Sequence, residues 1–288
     1  MEWLDTVIQG MLVGGLYALF AAGLSLIFGV MRLVNIAHGD LIVLAAYLAL
    51  VAVDATGIHP LVSLVIVVPL MFAIGYVLQR GLLNFTLGGD ILPPLLVTFG
   101  LSIIIQNVLL EVFSADSRRL QAAGLETASV HIGGGLAVGT FPLIIFGSAI
   151  AVIGLLQFMF YRTALGRAFR ATSDDQDTAR LMGIDNRHLF ALAMAVALAV
   201  VAVASVFLSV YTNFDPTIGP GRLLYAFEAV IIGGLGNLWG TLAGGIILGV
   251  AQSIGAKIDP GWQILAGHLA FLAVLVLRPH GLFPRIAQ

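Results

Sequence analysis

The stretch YRTALGRAFRATSDDQDTARLMGIDNRH, residues 161–188, is the longest polar segment of an otherwise apolar chain. It contains five of the 13 basic residues of the protein, all of them arginines, together with four aspartates. A segment with this many charges is not stable in the hydrocarbon of a bilayer, so it must lie in water between two membrane spans. Because basic residues concentrate in cytoplasmic loops, we expect that water to be the cytoplasm. We call residues 162–188 the polar island.

The composition indicates an integral membrane protein. Of the 288 residues, 60% are hydrophobic and 10% are charged, whereas soluble domains carry roughly a quarter charged residues. The net charge of -2 gives no indication of a nucleic-acid partner. The absence of cysteine excludes disulfides and thiolate metal sites. No metal-ligand spacing, cofactor motif or catalytic triad is found. The amino terminus, MEWLD, lacks the basic region of a secretory signal, so we expect the first apolar segment to remain as a span.

Apolar segments of about 20 residues, the length that crosses a bilayer, recur along the whole chain. They predict an all-α polytopic membrane protein with about eight or nine transmembrane helices in a single domain, residues 1–288. The sequence GGLGNLWG, residues 233–240, interrupts an apolar stretch that is too long for one crossing. Because glycine is a poor helix former, we expect a broken element there. The predicted spans are 7–31, 36–54, 61–80, 94–113, 141–161, 189–211, 223–235, 240–256 and 262–278.

The placement of basic residues supports this topology. With the amino terminus outside, nine basic residues fall inside and four outside, as expected for cytoplasmic loops. One unbroken helix over 223–256 would send Arg278 and Arg285 outside and weaken the bias. The inside set is Arg32, Arg80, the five arginines of the polar island, Arg278 and Arg285, and the outside set is Arg118, Arg119, Arg222 and Lys257.

The polar island contains the signals of a short helix. Ser173, followed three residues later by Gln176, fits a capping box, and the aspartates that follow suit the positive end of a helix dipole. Gly183 can adopt the left-handed backbone that ends a helix. The pattern predicts a helix over 174–182, with Asp185 capping the next span. Ala179, Leu181 and Met182 would then be available to enter a groove on another protein, although a solvated turn with no partner is the simpler alternative.

Five segments of this chain resemble the branched-chain amino acid permease family of ATP-binding cassette importers. Residues 17–47 contain an Asn, an apolar residue, Ala-His-Gly and an acid, which is similar to the amino-terminal signature of the family. The form with Ala-His-Gly resembles the shorter, liv H-like member of the two permease types. The other matching segments, in chain order, are FGLSIIIQNVLLE (99–111), ALGRAFRATSDDQDTARLMGIDNRHLFALA (164–193), AVIIGGLGNLWGTLAGGIILG (229–249) and RPHGLFP (278–284).

The resemblance implies an importer in the bacterial inner membrane. Such an importer has two permease subunits, two cytoplasmic ATP-binding cassette ATPases and a periplasmic substrate-binding protein, and here the second permease is expected to be a longer relative. The sequence contains no GxxxxGK[ST] loop for nucleotide phosphates, so we expect ATP hydrolysis by the partners rather than by this chain. The resemblance makes residues 162–188 the coupling loop. The expected coupling residues are Ser173, Asp175, Asp177, Ala179, Leu181, Met182 and Gly183.

Polar residues within the spans are the candidates for the substrate pathway. Asn35, His38 and Asp40 lie where the first two spans join. They would line the pathway. Alternatively, Asn35 or Asp40 caps the second helix and His38 satisfies a neighbouring carbonyl. Gln106 and Asn107 lie in the fourth span and must face other helices or the pathway, because an unpaired amide in lipid is costly.

Glu228 and the glycine segment complete the candidate pathway. A carboxylate within a span should face a cavity or be protonated, so Glu228 would meet a substrate ammonium group or carry protons. Pairing with Arg222 is disfavoured by their spacing. Gly233, Gly234 and Gly236 would present backbone groups to substrate, or else permit close helix packing.

Three functions remain open from the sequence. The first is an ATP-driven permease for branched-chain or related hydrophobic amino acids, with urea, short amides or aromatic carboxylates as alternative substrates in the same family. The second is a proton-coupled secondary carrier that uses Glu228 and His38. The third is a membrane scaffold without transport. The loop at 114–140, which contains Gly124 and Gly133–Gly135, is either a plain connector or a surface hairpin.

Overall fold

The computed structural model describes residues 2–87, 92–133 and 136–283, and it shows an all-α protein with eight helices long and apolar enough to cross a membrane. Arg285, one of the basic residues predicted to lie inside, falls outside these residues. The helices are α1 (Glu2–Met31), α2 (His38–Thr56), α3 (Leu64–Gly81), α4 (Leu92–Phe113), α5 (Thr140–Arg162), α6 (Ala164–Asp174), α7 (Gln176–Leu181), α8 (Asn186–Tyr211), α9 (Gly219–Gly233), α10 (Leu238–Ile258) and α11 (Gln263–Leu277), with 3-10 turns at Leu83–Phe85 and Pro260–Trp262.

Two helices form the centre of the bundle. In the most apolar stretch of α1, 83% of the residues are buried, and in that of α8 78% are, whereas the corresponding shares are 11% in α4 and 6% in α11. The helix α10 packs along α1, and α3 packs along α8. The exposed outer faces of α4 and α11 are therefore available to lipid or to another subunit.

Small residues set the contact between α1 and α10. A side-chain carbon on Gly14 would come within 2.6 Å of the Gly245 carbonyl oxygen, and one on Gly10 within 2.7 Å of Val250 Cα. Gly10 and Gly14 on α1, and Gly245 and Gly249 on α10, repeat at the four-residue spacing that lets helix backbones approach closely in membranes.

The broken element is confirmed. The helix α9 ends at Gly233 and α10 begins at Leu238. Between them, Gly234 and Gly236 have φ angles of 102° and 77°, which residues with side chains rarely adopt. Arg222 was expected in an outer loop, but α9 begins at Gly219, so this arginine lies in the first turn of the helix.

The loop at 114–140 is a surface hairpin. Strand β1 (Ser129–Gly133) pairs antiparallel with β2 (Leu136–Gly139), and Val130 lies opposite Val138. The same loop is fixed to the bundle because Arg118 and Phe214 exchange two backbone hydrogen bonds. Gly134 and Gly135, which belong to the expected turn, lie outside the described residues.

Candidate functional site

The helix α2 begins in the middle of the bundle instead of at its surface. The Nε2 atom of His38 lies 2.9 Å from the carbonyl oxygen of Phe20, in the interior of α1. At Gly23 of α1, an added side-chain carbon would contact both the His38 ring and the carbonyl of Ala197, which lies midway along α8. The preceding stretch, residues 32–37, is irregular and runs inward along the bundle. Irregular backbone at this depth is stable only where protein covers it or where it lines a cavity.

A second helix starts at the same place. A side-chain carbon on Gly219, the first residue of α9, would lie within 3.0 Å of the backbone nitrogen of Asp40. A side-chain carbon on Gly39 would also meet the Gly219 carbonyl, and it would lie within 2.9 Å of Leu223 Cβ on α9. The amino-terminal ends of α2 and α9 therefore converge at mid-depth. Helix amino termini carry partial positive charge, and transporters direct such ends toward anionic groups of their substrates.

Buried polar atoms without partners surround these helix ends. Asn35 is fully buried, and neither its side-chain oxygen nor its side-chain nitrogen has a hydrogen-bond partner. The Oδ1 atom of Asp40 and the Nδ1 atom of His38 are likewise buried without a partner. Because His38 Nε2 faces a carbonyl that can only accept, Nε2 carries the proton, and Nδ1 of the neutral ring is an acceptor. Buried polar groups are nearly always paired, so these atoms require either buried water or a polar ligand.

The alternative in which Asn35 or Asp40 caps α2 is wrong. The alternative in which His38 bonds to a neighbouring carbonyl is confirmed. The residue before α2 is Ala37, with no side-chain cap, so neither Asn35 nor Asp40 caps the helix. His38 does satisfy a neighbouring carbonyl, that of Phe20.

One stripe of α4 completes the site. The Ser102 hydroxyl donates to Asp40 Oδ2 at 2.5 Å, and the Thr98 hydroxyl accepts from the backbone N–H of Ile36 at 3.2 Å. Sequence reasoning missed both hydroxyls, although Thr98, Ser102 and Gln106 repeat every four residues and so share one helix face. Gln106 is half-buried one turn beyond Ser102.

Asn107 does not join this site. It is exposed, and its side-chain nitrogen donates to the Ile103 carbonyl of its own helix at 2.8 Å. Within the described residues, the prediction that Asn107 faces another helix of this chain is therefore wrong. Ile103, Ile104 and Val108 are exposed beside it, so the outer face of α4 presents a mostly apolar surface with one amide.

Glu228 is buried and paired with a residue that sequence reasoning missed. The Nδ1 atom of His268 on α11 lies 2.5 Å from Glu228 Oε1, and the second carboxylate oxygen has no partner. The disfavoured pairing with Arg222 is absent among the described ion pairs, and that guanidinium instead lies 5.9 Å from the Tyr225 ring centre. The available signal was a histidine inside the apolar helix α11, since ionisable residues within spans usually have partners.

The glycine break lies away from the mid-depth site. The carbonyls of Ile232 and Gly233 accept hydrogen bonds from the backbone nitrogens of Leu282 and Phe283. Asn237 caps α10 through Gly240 and also donates to the Phe283 carbonyl at 3.0 Å. The carboxyl-terminal segment therefore covers the break. The expectation that the glycines present free backbone groups at membrane depth is therefore wrong for the Gly233 carbonyl, which is already paired. The alternative role, close helix packing, fits Gly233, which lies against Gly240.

The polar island contains two helices where one was predicted. The missed helix is α6, capped by Thr163, whose hydroxyl accepts from the Gly166 N–H at 3.1 Å. Leu165, Phe169 and Thr172 form its inner face, and Phe169 is fully buried against Phe160. This spacing of three and four residues was the available signal.

The cap of α7 differs from the predicted capping box. Asp175, instead of Ser173, precedes the helix, and its carboxylate accepts from the backbone N–H groups of Asp177 and Thr178. Bonds from the Thr178 hydroxyl and these backbone groups lower the pKa of Asp175. The Ser173 hydroxyl instead donates to the Gly29 carbonyl of α1 at 2.7 Å, which ties the island to the central helix. The predicted helix over 174–182 is therefore shorter.

The end of α7 and the next cap agree with the sequence. Gly183 has a φ of 82°, and the Ile184 N–H donates back to the Ala179 carbonyl at 3.1 Å, as in a glycine-terminated helix. Asp185 caps α8 through the N–H groups of Arg187 and His188. The His188 N–H is the main cause that lowers the pKa of Asp185.

The exposed residues of α7 are fewer than predicted. Ala179 is buried against the protein, so it is not available to a partner. Leu181 and Met182 are 87% and 78% exposed, and the Asp177 side chain is exposed as well. Two large apolar side chains in water at the end of a short helix are suited to burial in a groove.

Comparison with known proteins agrees with this architecture. The family model described as branched-chain amino acid transport system / permease component matches residues 6–276. The high-affinity branched-chain amino acid transport system permease protein BraD of Pseudomonas aeruginosa is 31% identical, over 99% of this chain and 96% of its own length. The corresponding protein LivH of Escherichia coli K12 is 26% identical over the same shares.

A related protein of the second permease type matches more weakly. The permease protein LivM of Escherichia coli K12 is 23% identical, over 93% of this chain and 68% of its own length. The match to the family model over nearly the whole chain, with 31% identity to one member, is decisive. This chain belongs to the branched-chain amino acid permease family of ATP-binding cassette transporters.

Proposed function

We propose that this chain forms part of the pathway by which an ATP-driven importer carries branched-chain or related hydrophobic amino acids across the bacterial inner membrane. A periplasmic binding protein delivers the substrate. A second, longer permease subunit forms the other half of the pathway, and two cytoplasmic ATPases supply the energy. The relatives named above are permeases of branched-chain amino acid transport systems, which supports this choice of substrate.

The observation that carries the proposal is the convergence of the α2 and α9 amino termini beside Asp40. An amino acid is a zwitterion, so a site for it needs a positive and a negative region a few ångströms apart. The helix ends supply partial positive charge for the carboxylate. The free oxygen of Asp40 supplies an acceptor for the ammonium group. Buried aliphatic side chains nearby, such as Leu41 and Ile42, suit a hydrophobic substrate.

The polar island is proposed as the cytoplasmic coupling loop. Leu181 and Met182 provide its docking residues, and the bond from Ser173 to the Gly29 carbonyl connects it to α1. Because α1 contacts α2 through His38 and Phe20, movement of the island would reach the mid-depth site by direct contacts. The ATPases then shift the balance between two states of the permease by binding one of them better.

The substrate is tested by reconstituting this chain in vesicles with the second permease subunit, the ATPases and the binding protein. We expect ATP-dependent uptake of leucine, isoleucine or valine in preference to urea, acetamide and benzoate. Uptake of urea or benzoate without any uptake of leucine would overturn the amino acid assignment while leaving the importer mechanism intact.

A proton-coupled secondary carrier is the alternative function, and the pair between Glu228 and His268 is the observation that favours it. Two ionisable groups in contact within the membrane form the simplest proton relay. Vesicles that contain this chain and its permease partner, but no ATPase, are given a pH gradient. Uptake under these conditions that is lost in Glu228→Gln would support the carrier, and absence of uptake excludes it.

A further inference from the structure

A cavity of about 490 Å³ lies at the membrane face on which the polar island sits. It is bounded by the end of α1, the start of α4, the helix α7 and the start of α8. Three arginines line it: Arg32, Arg180 and Arg187. Arg32 follows the last residue of α1 and Arg187 is the second residue of α8, so both lie at the level where spans leave the hydrocarbon.

The cavity carries excess positive charge. Asp177 is the one acid among the described lining residues, and it lies 3.8 Å from Arg180. Arg32 and Arg187 have no carboxylate within salt-bridge distance in the part of the chain that the structure describes. Asp90, three residues beyond the lining residue Leu87, falls outside that part.

The backbone holds Arg32 in an unusual conformation. Its φ of 52° lies in the left-handed region, which residues with side chains seldom occupy. Arg32 directly follows α1, and its backbone N–H donates to the Phe28 carbonyl at 2.9 Å, so this conformation is a left-handed cap that turns the chain away from the helix. This residue contributes one of the two lining arginines that have no carboxylate within salt-bridge distance among the described residues.

Apolar side chains also line the cavity, which lies beside an exposed apolar surface. Leu33, Leu95 and Phe190 line it. Next to these residues, Phe85, Leu92 and Leu96 are 77%, 69% and 68% exposed. Large exposed apolar side chains at the ends of membrane spans are available to acyl chains. A ligand in this cavity therefore meets guanidinium groups on one side and hydrocarbon on the other.

We propose that this cavity binds the phosphate headgroup of an anionic phospholipid, with Arg32 and Arg187 contacting the phosphate and the acyl chains lying along the start of α4. Arginine is suited to this because its planar guanidinium donates two parallel hydrogen bonds to phosphate oxygens. Basic pockets between transmembrane helices are established lipid headgroup sites in general. The lipid would bridge α1, α4 and α8 next to α7, so its presence would stabilise the position of the polar island.

Inorganic phosphate shares the headgroup chemistry but lacks the acyl chains. The test therefore compares three conditions with the purified subunit in detergent: phosphatidylglycerol, phosphatidylcholine and inorganic phosphate. Native mass spectrometry measures the number of lipid molecules that the subunit retains, and a thermal unfolding scan measures the midpoint temperature of its unfolding. We expect retention of phosphatidylglycerol and a raised midpoint, and neither effect with phosphatidylcholine or phosphate.

The double variant Arg32→Gln/Arg187→Gln tests the assigned residues. We expect it to retain phosphatidylglycerol about thirtyfold less well, because each of the two arginines near a membrane surface contributes of the order of 1 kcal/mol to binding an anionic lipid. The matched control is Arg162→Gln/Arg167→Gln, which removes two exposed arginines of the same island that do not line the cavity. Both variants must keep the wild-type unfolding midpoint without lipid.

Three results would overturn the proposal. Equal loss of lipid in both double variants would show that retention follows overall charge. A raised midpoint with inorganic phosphate, abolished by the cavity variant alone, would show a site for a free anion. Unchanged lipid retention combined with lost binding of the ATPase subunits would show that the arginines receive an acidic segment of that protein instead.

Discussion

The hydroxyl of Ser102 donates a hydrogen bond to Asp40 Oδ2 at 2.5 Å, and the other carboxylate oxygen of Asp40 is left buried without a partner. The two residues lie on different helices, α4 and α2. The bond orients the carboxylate, and its Oδ1 atom lies against Gly219, the first residue of α9. Under the proposed function, this carboxylate receives the substrate ammonium group.

Replacing Asp40 by Asn should abolish most amino acid uptake. The variant keeps the shape of the side chain and its bond to Ser102 but removes the charge. Because a hydrogen bond to a charged group contributes about 1.5–3 kcal/mol, we expect uptake of leucine at limiting substrate to fall about tenfold to a hundredfold. Uptake is measured in vesicles with the complete transporter.

Ser102→Ala is the matched control for Asp40. It leaves the carboxylate charged and removes only the orienting bond, so a loss of a few-fold at most is expected. The unfolding midpoints of both variants should stay near that of the wild type. An Asp40→Asn transporter with wild-type uptake would show that the substrate ammonium group binds elsewhere.

The pair between Glu228 and His268 should act as a structural link between α9 and α11. Removing either partner leaves the other buried or half-buried without its hydrogen bond, so Glu228→Ala and His268→Ala should each destabilise the protein by about 1–3 kcal/mol. The two effects should not add in the double variant, because either change alone breaks the same bond. Thermal unfolding of the four proteins in detergent measures this coupling, and additive effects would contradict the pair.

Some features of the fold and site follow from local sequence, and these were predicted correctly. Four glycines within residues 233–240 disfavour one continuous helix, so the composition predicts the break between α9 and α10. Gly183 and Asp185 act on their nearest neighbours, and both have the predicted role.

Other features depend on distant parts of the chain and were not predicted. Ser173 has the right sequence for a cap, but its hydroxyl bonds to the Gly29 carbonyl, which belongs to another helix. The depth at which α2 starts is set by Phe20 and Ala197, and no pattern near residue 38 shows it. The partner of Glu228 is 40 residues away on α11. These contacts form only when the helices pack.

The glycine contact between α1 and α10 should be intolerant of larger residues. Gly14→Val would force a branched side chain against the Gly245 carbonyl, so we expect destabilisation of about 1–3 kcal/mol or loss of folded protein. Thermal unfolding and the yield of monodisperse protein measure the effect. Gly147→Ala on α5 is the control, because an added carbon there meets nothing within 4 Å. Equal stability of the two variants would contradict close packing at Gly14.

Leu181 and Met182 should be needed for binding the ATPases but not for folding. Both side chains are largely exposed, so the double variant Leu181→Ser/Met182→Ser should keep the unfolding midpoint of the isolated subunit. It should lose co-purification with the ATPase subunits and the ATP hydrolysis that the permease stimulates. Ala171→Ser, an exposed change on α6 of the same island, should affect neither. Intact ATPase binding in the double variant would place the docking surface elsewhere.

The carboxylate of Asp175 should hold α7 in a pH-dependent way. The bonds from Thr178 and the backbone keep its pKa below the ordinary aspartate value of 3.8, so the charged form favours the folded helix. The stabilising effect is complete above that ordinary value and is lost as the pH falls through the lowered pKa. Asp175→Ala should therefore increase amide hydrogen exchange over residues 176–182 at neutral pH. The difference in exchange between the variant and the wild type should become smaller in acid. Asp174→Ala, which removes an exposed neighbouring acid that makes no cap, should leave exchange there unchanged. If both variants exchange alike at neutral pH, the cap does not stabilise α7.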